Sequence, residues 1–216
     1  MTRGDDLAAL ADTLQRELDA AHAARETALA ACRRTIRSCG SSIRAVHRLD
    51  PDRAAELADE AARALREAQE ALRPFAVLAA SGPLHDAEKE YAEARLTAAL
   101  VAGSPLPGPQ QLQVGIASWL GGLSEAATEL RRHILDRLRE GDLARADDLV
   151  TAMDDVYGLL VSMDYPDALT GGLRRHVDSL RAVLERTRGD LTTTALQSRL
   201  QTAIERRLGQ GPTTLG

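Results

Sequence analysis

Apolar positions recur along this chain at three- and four-residue intervals, and alternation of the kind a strand needs is absent. From about Asp5 to His47 the series Leu7, Leu10, Leu14, Leu18, then Leu29, Cys32, Ile36, Cys39 and Ile43 predicts one very long helix, or two in line. Gly40, Ser41 and Ser42 weaken it locally. In "LDPDRAAEL", Asp50 is placed to cap a second helix with Pro51 at its first position, and Arg73 and Pro74 mark its end. A third helix is expected from Pro83 to Ala102. The breaker-rich "GSPLPGPQQ" then gives a long loop over Gly103 to Gln111. Further helices are predicted from Val114 to Glu140, from Asp142 to Met163 and from Pro166 to Arg188. A more polar seventh begins near Gly189, and a tail over 209–216 is expected to be disordered. The expectation is all-α: a seven-helix bundle with a very long N-terminal helix, forming a single domain over 1–208.

Composition agrees. Of 216 residues 44% are hydrophobic but only 2% aromatic, so the core must be built from Ala, Leu, Val and Ile, which suits close helix packing. Cys32 and Cys39 lie too far apart along one helix to be bridged, which predicts reduced thiols. No charged-then-apolar leader opens the chain and no run of 18 apolar residues occurs, so a cytoplasmic protein without membrane spans is expected.

Charge changes the picture in two places. The net charge of −5 speaks against a generally basic nucleic-acid protein, yet no acid occurs between Glu26 and Asp50. Within that window Arg33, Arg37, Arg44 and Arg48 fall within roughly 60° of one another around a helix, forming one stripe that can follow several phosphates. A solvated helix face is the alternative reading of the same spacing. With so few aromatics, nucleic-acid binding would act through the backbone and be salt-sensitive. Lys89 is the only lysine beside 26 arginines, a bias that fits a GC-rich genome.

The second place is "DAEKEYAEARLTAAL". Glu90 and Glu93 lie about 60° apart on the third helix, and Glu125 and Glu129 about 40° apart on the fourth, each pair on a helix otherwise lined with Ala, Leu and Gly. Buried carboxylates must be solvated, bridged by cations or engaged with a metal. Side by side, the two helices could present four carboxylates to Mg²⁺, or alternatively Mn²⁺, suited to phosphodiester hydrolysis. Without a metal, at least one of four crowded carboxylates would take up a proton. Asp86 and Glu88 read as partners of the helix N-terminus. His47 and His176, beside arginines, read as phosphate contacts or surface histidines. The Glu-x-x-His motif of di-iron bundles is missing, which disfavours a redox bundle. Trp119, Tyr91 and Tyr157 are expected to fill core, and Gly171 and Gly172 to allow close helix packing.

Four collinear segments, "RRTIRSCGSSIRAVHR", "KEYAEA", "LGGLSEAATELRRHIL" and "YPDALTGGLRRHVDSLRAVLE", resemble the translin family in order and spacing, from about Arg25 to Asp190. The family has a nucleic-acid-binding, catalytically silent kind of subunit, translin, and a metal-dependent ribonuclease kind, the translin-associated factor X kind (TRAX). The TRAX pattern, a "QEYVEA"-like segment followed by an Asp-x-x-x-Glu pair, falls on Glu90, Glu93, Glu125 and Glu129, with Glu125 in place of Asp. Translin is apolar at the first and third of these positions. The resemblance therefore implies a Mg²⁺-dependent endoribonuclease acting on single-stranded or short RNA, with single-stranded DNA as a further ligand. It also implies a homo-octameric shell of the archaeal type, and backbone contacts from Arg33, Arg37, Arg44 and Arg48 with Arg174 and Arg175. The alternative it leaves open is a silent shell whose carboxylates are paired to arginines.

Overall fold

A computed structural model describes residues 3–80 and 82–209 of the chain. Among them there is no strand. Six long helices carry the fold: α1 (Arg3–His47), α2 (Pro51–Leu72), α4 (Gly82–Ala102), α6 (Ile116–Glu140), α7 (Leu143–Val161) and α9 (Leu173–Gly209). Three single turns lie between them: α3 (Ala76–Ala79), α5 (Pro109–Leu112) and α8 (Asp167–Thr170).

The boundaries follow from local chemistry. Asp50 caps α2 by accepting from the Arg53 amide, with Pro51 at the first helical position. Asp142 caps α7 in the same way, through the Arg145 amide. Gly141 ends α6 at φ +80, a left-handed conformation that a Cβ disfavours.

Two expectations are corrected. The predicted sixth and seventh helices are one: α9 runs through Gly189, whose cost of roughly 1 kcal/mol is too small to break a helix supported on both sides. Pro166 opens only the single turn α8, because Gly171 and Gly172 take φ +62 and +80 and restart the chain at Leu173. These two glycines thus serve backbone conformation first, rather than close packing. The loop from Gly103 also contains α5, and the tail over 210–216 lies outside the described residues.

In the packing, α4 is central. It lies against α1, α2 and α6, while α6 also carries α7 and α9. Leu96, Leu123, Leu130 and Ile134 fill this middle layer without solvent exposure, each contributing about 2 kcal/mol by burial. Tyr91 is buried with them. Trp119 and Tyr157 are only partly buried against the core, and the Trp119 indole donates to the Pro107 carbonyl, fastening the long loop. Cys32 and Cys39 are free and buried. At Gly122 the helices α4 and α6 nearly touch, since a Cβ there would stand 2.7 Å from the Lys89 carbonyl oxygen and 2.8 Å from the Glu93 nitrogen.

The first half of α1 leaves this core. Leu7, Leu10, Leu14 and Leu18 are exposed in a row, as are Leu196, Leu200, Ile204 and Leu208 on the last turns of α9. No helix among the described residues is long and apolar enough to cross a membrane.

Candidate metal centre and its basic flank

The near-contact at Gly122 sets the site. With the backbones this close, the side chains of α4 one turn either side of it meet those of α6. Glu90, Glu93 and Glu125 thereby bring carboxylate oxygens within 4.8 Å of one another. Glu93 is the deepest, 8% exposed, and Glu90 and Glu125 are half-buried.

The charges do not sit there unbalanced. Burial first, then the charges of Glu125, Glu90 and Glu129, push the Glu93 carboxyl up to about 8. Glu93 is therefore a protonated acid at neutral pH and shares a hydrogen bond with Glu125. Glu90 is also raised, again by burial before the neighbouring carboxylates, with Lys89 opposing. The Lys89 ammonium lies 2.6 and 2.7 Å from the two Glu125 oxygens and 3.6 Å from Glu90. Burial works against this ammonium, but the hydrogen bond and charge of Glu125 outweigh it and raise its pKa. His176 of α9 approaches Glu125 at 3.7 Å.

Glu129 stands apart from this cluster. The sequence places it with the other three, but His47 holds it: Nε2 of His47 lies 2.6 Å from Glu129 Oε2, and Nδ1 lies 3.1 Å from His133 Nε2. The His47 hydrogen bond, against burial, lowers the Glu129 carboxyl below its ordinary range. Burial and the neighbouring His47 lower His133 to about 4, so His133 is neutral. His47 is thus not a surface histidine; its side chain is 7% exposed and is engaged by Glu129 and His133. One turn beyond Ile43, it lies on the border between the buried face of α1 and the arginine stripe, about 40° round the helix from Ile43. That border position was the available signal.

Lys89 also went unassigned, although being the sole lysine marks it out. Glu88 has a different task from the one expected. It accepts from Gln69, the Gly115 amide and Ser118, clamping the start of α6 to α2 and α4.

Arg33, Arg37 and Arg44 are exposed on α1 and Arg48 on the turn that follows it, and no carboxylate among the described residues lies within ion-pairing distance of them. The neighbouring Arg34, by contrast, pairs with Glu67 of α2. Helical geometry puts the stripe on the flank of α1 that begins about 40° past His47, so it borders the carboxylate side of the molecule. Arg174 and Arg175 are exposed at the start of α9, beside His176.

No family model matches the chain. The uncharacterized protein MJ0175 of Methanocaldococcus jannaschii is 28% identical over 187 residues, 84% of this chain and 81% of that protein. Among solved structures, the Archaeoglobus C3PO, AfC3PO, in complex with duplex RNA superposes with TM-score 0.78 at 28% identity, covering 86% of this chain and 96% of that one. The crystal structure of AfC3PO gives 0.76 at 27%, covering 86% and 97%. The chain is similar to these C3PO chains in fold and, at 27–28% identity, in sequence. The Nematostella protein apo-NeC3PO, at 18% identity and TM-score 0.77 over 85% and 96%, shares the translin fold.

Set on this fold, the donor chemistry suits a hard divalent cation. All three clustered groups are oxygen ligands, they come from two helices held at a fixed short distance, and two of them have raised affinity for a proton. A site that holds protons and an ammonium in order to neutralise itself is one a divalent cation can neutralise instead.

Proposed function

We propose that the chain is a TRAX-like, Mg²⁺-dependent endoribonuclease acting on single-stranded or short RNA. The observation that carries the reading is the convergence of Glu90, Glu93 and Glu125 at the closest approach of α4 and α6. They are the residues that would hold Mg²⁺, or Mn²⁺ in its place. Bound there, such an ion would activate a water and stabilise charge on the leaving oxygen of a phosphodiester.

The remaining work falls to the chain itself. Glu129, apart from the cluster and kept ionised by His47, would add negative charge beside the bound cation, and neutral His133 backs His47. Arg33, Arg37, Arg44 and Arg48, unpaired and exposed, would hold the phosphate backbone, with Arg174 and Arg175 on the α9 side. RNA as the ligand is supported by AfC3PO, which was solved with duplex RNA at 28% identity to this chain. Single-stranded DNA would meet the same arginines. The exposed apolar rows on α1 and α9 support self-association, for which a homo-octameric shell is the proposed form.

One observation favours a second reading, a catalytically silent RNA-binding shell: Glu125 already has a cationic partner. That partner is Lys89, not an arginine as the sequence suggested.

The deciding experiment incubates purified protein with labelled RNA in Mg²⁺, beside Glu93→Gln and an EDTA control. Cleavage by the wild type that both controls abolish supports the ribonuclease. Salt-sensitive retention of intact RNA in every sample supports the silent shell.

A further inference from the structure

We propose that Lys89 is the resident cation of the carboxylate cluster, and that a divalent ion enters by displacing its ammonium from Glu125. The inference rests on the metal-site reading above.

Three observations carry it. First, Nζ lies 2.6 and 2.7 Å from the two oxygens of Glu125 and 3.6 Å from Glu90, so the ammonium occupies both Glu125 oxygens at once. A divalent ion that takes Glu125 competes with the ammonium for the same oxygens, and the two positive charges held against one carboxylate repel each other, so binding of one favours departure of the other. Second, the lysine stem has a track. A Cβ on Gly121 would stand 3.3 and 3.4 Å from Lys89 Cδ and Cγ, so the bare glycine leaves room for the stem to lie along α6. Third, the residue type departs from the rest of the chain, which uses arginine at every other basic position. A guanidinium would grip Glu125 with a planar two-pronged fork, whereas a lysine ammonium is a strongly hydrated point charge on a flexible stem and regains its water when released. Lysine is the cation that can leave.

The negative charge of this site is therefore offset in two ways, with a tethered monovalent charge or with a bound divalent one. Mg²⁺ affinity is set by the competition between them. Without the ammonium the cluster would be one charge more negative and Glu125 would lose the partner that holds both its oxygens.

The test measures Mg²⁺ binding by calorimetry on the full chain without RNA, for the wild type, Lys89→Gln, Lys89→Met and Glu93→Gln. Both Lys89 variants are expected to bind about tenfold tighter or more. Lys89→Met keeps the stem over Gly121 and serves if the glutamine variant folds poorly. Because Lys89 is the only lysine, isotope-labelled lysine gives a single side-chain NMR signal. That signal is expected to shift on Mg²⁺ addition, with the calorimetric midpoint. Unchanged or weaker binding by the Lys89 variants, or a lysine signal that stays put while Mg²⁺ binds, overturns the inference. Where the wild type still binds and Glu93→Gln does not, the metal-site reading survives that loss. If no variant binds Mg²⁺, both fall, and Lys89 is a permanent ion-pair partner.

Discussion

His47, the last residue of α1, lies 2.6 Å by its Nε2 from Glu129 Oε2, an acid 82 residues further along the chain in the middle of α6. This contact turns a set of four equivalent-looking glutamates into three plus one. Glu90, Glu93 and Glu125 face each other, while Glu129 faces a histidine backed by a second, neutral histidine.

Removing that contact should be measurable. His47→Ala leaves Glu129 and His133 each short of a partner in a half-buried place, and the expected loss of stability is about 1–3 kcal/mol in urea unfolding. In a double-mutant cycle with Glu129→Gln the two losses should fall short of additivity. Additive losses would mean that the contact contributes nothing.

Metal-free protein should lose stability as pH rises through neutrality. The folded pKa of Glu93, about 8, exceeds the ordinary 4.5, so its contribution is fully present below 4.5 and is lost as pH rises through about 8. His133 acts in the opposite sense. Its folded value of about 4 lies below 6.5, so its contribution is present above 6.5 and is lost as pH falls towards 4. Between 6.5 and 8 Glu93 governs, and the melting temperature should fall across that window. Glu93→Gln should flatten the fall, and a slope that survives this substitution assigns the proton to another group.

Gly122→Ala should separate α4 from α6. Its Cβ would meet the Lys89 carbonyl oxygen at 2.7 Å and the Ala92 Cβ at 2.8 Å, backbone and a methyl that cannot swing away. Overpacking of this kind costs about 1–3 kcal/mol. Mg²⁺ affinity should fall with it, because the carboxylates of the two helices move apart. Thermal unfolding with and without Mg²⁺ reads both effects.

Arg37→Ser should weaken RNA binding equally for different sequences. It should also reduce the slope of log affinity against log salt by about 0.7–0.9 per arginine removed. Arg34→Ser is the internal comparison, since Arg34 is already engaged by Glu67. Equal effects from the two would detach RNA binding from the stripe.

Much of this protein was determined by the chain itself. Leu and Ala at three- and four-residue intervals specify helices whatever surrounds them, and Asp50–Pro51 and Gly141–Asp142 start and stop them through bonds made within a few residues. The arginine stripe and the pairing of Glu90 with Glu93 and of Glu125 with Glu129 are likewise helical periodicity, visible in any window of 20 residues or so. Tertiary structure decided whatever depends on which helix lies against which. Gly189 stays helical because the α9 helix around it is supported by α6 and α7, a contact no local propensity contains. Glu129 leaves the cluster because α1 ends where His47 can reach it. Lys89 enters because Gly121 and Gly122 let α6 come close enough for a lysine stem to cross to Glu125. Burial and charge act through space, so the protonation of Glu93 and the neutrality of His133 follow only once the helices are packed.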